Sequence, residues 1–122
     1  FPETLHLFHN DTDSDVCFPH LQDLGVDLFN FTHKKDIAEA RKKIGKNVCL
    51  MGNVRPMSLA RESPGTVREQ TAGVIRSYCL ENGGSAAGLL VSPGGGVPMG
   101  ATHDNIAAMI DAAMSYKPDK EL

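Results

Sequence analysis

Four short apolar runs recur along the chain, each followed by a segment whose apolar residues come at helical spacing. Thr4 to Phe8 alternates polar and apolar and predicts a strand, with Leu5 and Leu7 on one face and His6 and Phe8 on the other. After a polar loop, Phe18 to Leu24 predicts a short helix that ends at Gly25. Val26 to Phe31 is a second strand. Asp36 to Ile44 places Ile37, Ala40, Arg41 and Ile44 on one helix face, with Gly45 as the stop. Asn47 to Met51 is a third strand, broken by Gly52-Asn53. Thr66 and Glu69 have the capping-box spacing, so a helix should run from there to about Leu80, with Val67, Val74, Ile75 and Tyr78 inward. Ala87 to Ser92 is a fourth strand. Thr102 caps a last helix with Ile106, Met109, Ile110 and Ala113 inward.

Strict alternation of strand and helix implies a parallel sheet with right-handed crossovers. Each βα unit takes about 30 residues, and a closed eight-unit barrel takes about 250. Four units therefore make half of a (β/α)8 TIM barrel or a small open doubly wound sheet; periodicity does not separate the two. A half-barrel over residues 1–116, with a polar tail at 117–122, would leave two open strand edges. It would pair with a second copy or with the missing N-terminal half-barrel.

Composition narrows the function classes. The 122 residues are 41% hydrophobic and 22% charged, as in ordinary globular domains. The net charge is -3, and no basic stripe is present, which argues against nucleic acid as a partner. No apolar run approaches the roughly 18 residues of a membrane span. Three widely spaced cysteines, an odd number, fit a reducing cytoplasm better than a disulfide framework. The chain opens Phe1-Pro2-Glu3-Thr4 without Met and reads as cut from a longer polypeptide.

Candidate chemistry gathers at the strand ends, where barrels place their sites. The run VSPGGGVPMG, residues 91–100, drives a strand into Gly94, Gly95 and Gly96, which marks backbone brought close to something else. Asn53 and Arg55 lie just past the third strand, and Asn30 ends the second facing the same way as Leu28. Asn53 suits a turn as well as a ligand contact; Arg55 suits a carboxylate or phosphate. The first loop carries His6, His9, Asp11 and Asp13, but two histidines three apart on a strand turn to opposite faces, so a metal shared with Asp11 needs a bend. His9, Asp11 and Asp13 therefore read as solvated loop residues and His6 as the interior histidine. A dinucleotide fingerprint after the first strand is absent.

The stretch Cys49-Leu50-Met51-Gly52-Asn53-Val54-Arg55-Pro56 resembles a strand-end motif of the uroporphyrinogen decarboxylase family. So do Asp36 to Arg41 before it, Gly65-Thr66-Val67 after it, and Pro93 to Gly96 followed by Asp104-Asn105-Ile106. These match in order along nearly the whole chain and imply the C-terminal half of a (β/α)8 barrel. One branch of the family decarboxylates the acetate arms of a porphyrinogen without a cofactor. The other passes a methyl group from a cobamide to a zinc-bound thiol, and the wording CLMGNV is closer to that branch.

The resemblance also sets expectations for single residues. In the methyltransferase branch a His-x-Cys pair and a rim-loop Cys hold zinc; His6 matches the histidine, while Phe8 and Gly95 stand where the cysteines belong. In the decarboxylase branch a rim-loop histidine falls at Gly95, and an aspartate common in the family as a whole falls at Thr32. No metal site is expected, and no cofactor, with zinc and cobamide reserved for the methyltransferase reading. His6 is the catalytic candidate; Asn30, Asn53, Arg55, Gly94, Gly95 and Gly96 are the substrate-binding candidates. The implied ligand is a tetrapyrrole or a corrinoid-linked substrate, and the alternative is an inactive module that keeps only the fold.

Overall fold

The structure is a computed structural model, and residues 1–117 of it are described. Strands β1 (Leu7–Asn10), β2 (Leu28–Phe31), β3 (Cys49–Val54) and β4 (Leu89–Pro93) alternate with helices. These are α1 (Ile37–Ile44), the short α2 (Ser58–Arg61), α3 (Pro64–Glu81) and α4 (His103–Ser115), with a single 3-10 turn at Phe18–His20. All strand pairs are parallel and lie in the sequential order β1-β2-β3-β4. A doubly wound sheet reverses direction at a switch point; a sequential order is that of a barrel wall. Residues 118–122, most of the expected tail, lie outside the described residues.

Cross-strand register assigns each residue to a face. Phe8, Phe29, Leu50 and Leu89 form one row. Phe29 and Leu50 are fully buried beneath the helices with Phe31, Ile37, Ala40 and Ile44. Phe29 stacks between Phe8 and Phe31 at 5.6 Å from each, and Phe18 closes edge-on at 5.5 Å. The next row, His9, Asn30, Met51 and Leu90, faces the opposite, concave side. Among the described residues no helix covers that side: Leu7 is 56% exposed and Leu90 46%. Parallel sheets are ordinarily buried on both faces, so this is the inner surface of a partial barrel.

The inward-facing face of β1 corrects the sequence reading. Leu7 faces the concavity and Phe8 the helix layer, because Phe8 pairs with Phe29 and stacks on its ring in the core at 5.6 Å, which turns its neighbours to the other side. The residues before Leu7 are held by a Thr4-to-Phe1 backbone bond and by the Asp27 carboxylate, which accepts the His6 N–H at 2.8 Å.

β3 does not stop at Gly52. It continues to Val54 by pairing with Val91, Ser92 and Pro93, and the Gly52–Asn53 peptide is cis. The cap of α3 is Ser63, whose hydroxyl accepts the Thr66 N–H with Pro64 at the first helical position, so the Thr66 capping box is not used. On α4 the buried residues are Asn105, Ala108, Met109 and Ala112, one step round from the expected face. Ile110, 52% exposed, and Ala113 instead line an apolar groove of about 350 Å³ with Leu89, Leu90 and Val91 at the free β4 edge.

At the N-terminal end of the sheet one buried cation ties the layers together. Arg41 of α1 donates to the carbonyls of Gly45, Val48 (2.8 Å) and Gly88 (3.1 Å) and to the Tyr78 hydroxyl (2.6 Å). The Tyr78 hydroxyl in turn donates to the Ala87 carbonyl at 2.6 Å. That end of a barrel serves stability, and its opposite end serves chemistry.

Candidate active site at the carboxyl rim

At the C-terminal end of the strands one amide gathers three of them. Asn30 is 6% exposed, and its Nδ2 donates to the Met51 carbonyl at 2.7 Å, to Ser92 Oγ at 3.2 Å and to the Pro93 carbonyl at 3.3 Å. Ser92 Oγ in turn donates to the Pro93 carbonyl at 2.8 Å. Every partner on the amide nitrogen side is an acceptor, so the NH2 group points at β3 and β4 and the amide oxygen points at β1. That oxygen lies 2.6 Å from Nδ1 of His9. His9 Nε2 faces Asp11 Oδ2 at 3.8 Å, an ion pair whenever the ring is protonated. Both rims meet there, since a Cβ at Gly95 would lie 3.6 Å from that same carboxylate oxygen.

The sequence reads His9 as a solvated loop residue, with a metal shared with His6 and Asp11 as the other choice. The period-2 alternation of β1 puts His6 and His9 on opposite faces, and it is Phe8 entering the core against Phe29 that sends His9 to the concave one. His6 lies at the other end of the strand. Its Nδ1 is 3.2 Å from the Gly25 carbonyl and its Nε2 3.2 Å from Thr4 Oγ1. The structure therefore does not bring His6 to the other candidates.

The remaining candidates divide. Asn53 is 6% exposed and donates to the carbonyls of Thr32 (3.1 Å) and Lys35 (2.6 Å), fastening the β2–α1 loop. Thr32 is buried, its hydroxyl accepting the Lys34 N–H at 3.2 Å. Arg55 is exposed at the end of β3 and forms no ion pair among the described residues. Gly94 lets two loops touch: a Cβ there would fall 2.4 Å from the His33 backbone nitrogen, while Gly94 N donates to the Val54 carbonyl at 2.8 Å. Gly95 has φ +133°, a conformation side chains disfavour, and Gly96 has open space around it.

As a metal site the rim is incomplete. Zinc takes three protein ligands in catalytic centres, and among the described residues no three His, Cys, Asp or Glu side chains converge. The cysteines do not help: Cys17, Cys49 and Cys79 are all free thiols, and burial pushes Cys49 and Cys79 up, away from the thiolate that binds metal. Among the described residues no helix is long and apolar enough to cross a membrane.

Comparison with known proteins agrees with this geometry. A sequence profile of the uroporphyrinogen decarboxylase (URO-D) family matches residues 2–116. The chain is 31% identical over 98 residues to the uroporphyrinogen decarboxylase of Chromohalobacter salexigens, covering 80% of this chain and 26% of that protein. It is 32% identical over 91 residues to that of Cupriavidus necator, covering 75% and 24%. The chain thus spans about a quarter of the length of these curated relatives. A solved methyltransferase from Methanosarcina mazei superposes with a TM-score of 0.74 at 18% identity, over 90% of this chain and 31% of that one. That likeness is one of fold.

Proposed function

The chain belongs to the uroporphyrinogen decarboxylase family, and from that premise we propose that it supplies one side of a cofactor-independent decarboxylase site for a carboxylated tetrapyrrole. The observation that carries this reading is the His9–Asn30 pair at the carboxyl rim, a proton-transfer group held in place where, among the described residues, no set of three metal-ligating side chains converges. Removing a carboxylate as CO2 leaves an electron pair on carbon, which needs a proton and no redox partner. Thiol methylation through zinc needs a donor set that these residues do not provide. Arg55 is an exposed cation on the same rim, suited to a substrate carboxylate.

The reading includes a partner. The concave face and the free β4 edge are apolar and uncovered, so the complementary barrel half, on the same polypeptide or on a second copy, completes the site. Anaerobic incubation of the complete protein with uroporphyrinogen III, followed by separation of products by carboxylate number, tests the activity. The expected result is a series of products with fewer carboxylates, formed equally with and without a chelator. Zinc-dependent methylation of a thiol would overturn the reading, and tetrapyrrole binding without turnover would leave a binding module.

A further inference from the structure

We infer that His9 Nε2 is the proton-donating atom of this site and that Asn30 is its positioning residue. The inference rests on the decarboxylase reading above. Its geometry stands on its own: the Asn30 amide nitrogen faces only acceptors, at Met51, Ser92 and Pro93. Its oxygen is left to accept, so His9 Nδ1 must donate across 2.6 Å. The proton on Nδ1 is thereby fixed, and Nε2 is the atom that gains and loses one. It points to the rim between the β1 loop and the glycine run of β4. The charged group that faces it is Asp11, at 3.8 Å. Lys34, on the β2–α1 loop, is engaged with Asp13 at 3.1 Å, and Asp27 lies at the other end of the strand with His6.

Doubly protonated His9 gives its Nε2 proton to the side-chain carbon that bears the departing carboxylate. The bond from that carbon to the carboxyl carbon breaks, CO2 leaves, and the freed electron pair becomes the new C–H bond. His9 is left as the neutral Nδ1–H form, still bonded to Asn30, and water restores the Nε2 proton. The same arrangement explains why Asn30 is buried on the concave row between His9 and the apolar Met51 and Leu90: it spans β1, β3 and β4 to hold one ring.

Three measurements test this in the complete protein. Long-range 1H–15N NMR of His9 should show a protonated Nδ1 and a bare Nε2 in the neutral ring; the opposite tautomer would overturn the Asn30 role. His9→Gln, checked for an unchanged circular dichroism spectrum, should lower kcat for uroporphyrinogen III by about 100-fold or more with KM little changed. Undiminished kcat would overturn the donor role. Asn30→Asp sets a carboxylate against Nδ1–H and should move the alkaline limb of the pH profile upward; a merely structural Asn30 would lower activity at all pH values alike. An inactive wild type with the expected tautomer would sink the decarboxylase reading and the donor role together, while leaving the positioning contact established.

Discussion

The amide oxygen of Asn30 lies 2.6 Å from Nδ1 of His9, and the amide nitrogen reaches Met51 and Pro93 on the next two strands. One side chain therefore spans four neighbouring strands at the rim. Asn30→Leu would leave the Met51 and Pro93 carbonyls without this donor. We expect a loss of about 1–3 kcal/mol in urea unfolding, the usual cost of orphaned buried polar groups. It should also release the His9 ring, visible as a mixture of tautomers by NMR.

The glycine run contains its own control. At Gly94 a methyl group would meet the His33 backbone at 2.4 Å, and backbone cannot swing aside as a side-chain end can. Gly94→Ala should cost about 3 kcal/mol and displace the β2–α1 loop. Gly96→Ala, where nothing lies within 4 Å, should leave the melting temperature nearly unchanged.

Arg41 anchors the opposite end of the sheet through four acceptors, including Tyr78 Oη at 2.6 Å. An ammonium cannot reproduce that fork. Arg41→Lys should destabilise by about 2–4 kcal/mol in thermal unfolding, and Tyr78→Phe by about 1 kcal/mol.

Much of this was legible in the sequence, for local reasons. Asp36 caps α1 by accepting the Glu39 N–H, Thr102 caps α4 by accepting that of Asn105, and Gly45 ends α1 at φ +87°. These signals act within four residues. All four predicted inward residues of α1 are buried. The errors lie where a distant partner decides. The packing of Phe8 on Phe29 sets the face of β1 and so brings His9, not His6, to the rim. The buried face of α4 runs through Asn105, Ala108, Met109 and Ala112, which leaves Ile110 on the groove beside β4. Helix α2 was not anticipated; Asn105 secures it from α4 by donating to the carbonyls of Leu59 and Glu62 at 3.0 and 2.9 Å.

Asp15 and Lys43 form an exposed pair at 2.6 Å. The Lys43 hydrogen bond holds the Asp15 carboxyl below its ordinary 3.8, and Asp15 raises the Lys43 ammonium above its ordinary 10.5. A depressed carboxyl contributes fully above 3.8 and loses that contribution as pH falls through its native value; a raised ammonium contributes fully below 10.5 and loses it as pH climbs through its own. The pair is thus complete between those limits, and its effect should fade in salt. In Lys43→Ala, NMR titration should find Asp15 moved back up toward 3.8.

Leu90 stands on the concave row with His9, Asn30 and Met51 and is 46% exposed. A charge placed there costs little if the face remains open. Covered by another barrel half, it would be an unpaired buried carboxylate. Leu90→Glu should therefore keep the circular dichroism of the wild type while weakening assembly of the barrel, read as a fall in mass on a sizing column.

The most direct test of the partial barrel is the native mass of the protein, taken by light scattering on material purified from its own source. This chain is 13.1 kDa, and an eight-unit barrel needs about 250 residues. The account predicts a particle of roughly twice the mass of this chain or more, in which a second barrel half covers the concave face. A stable, compact 13.1 kDa monomer that turns over uroporphyrinogen III would contradict it.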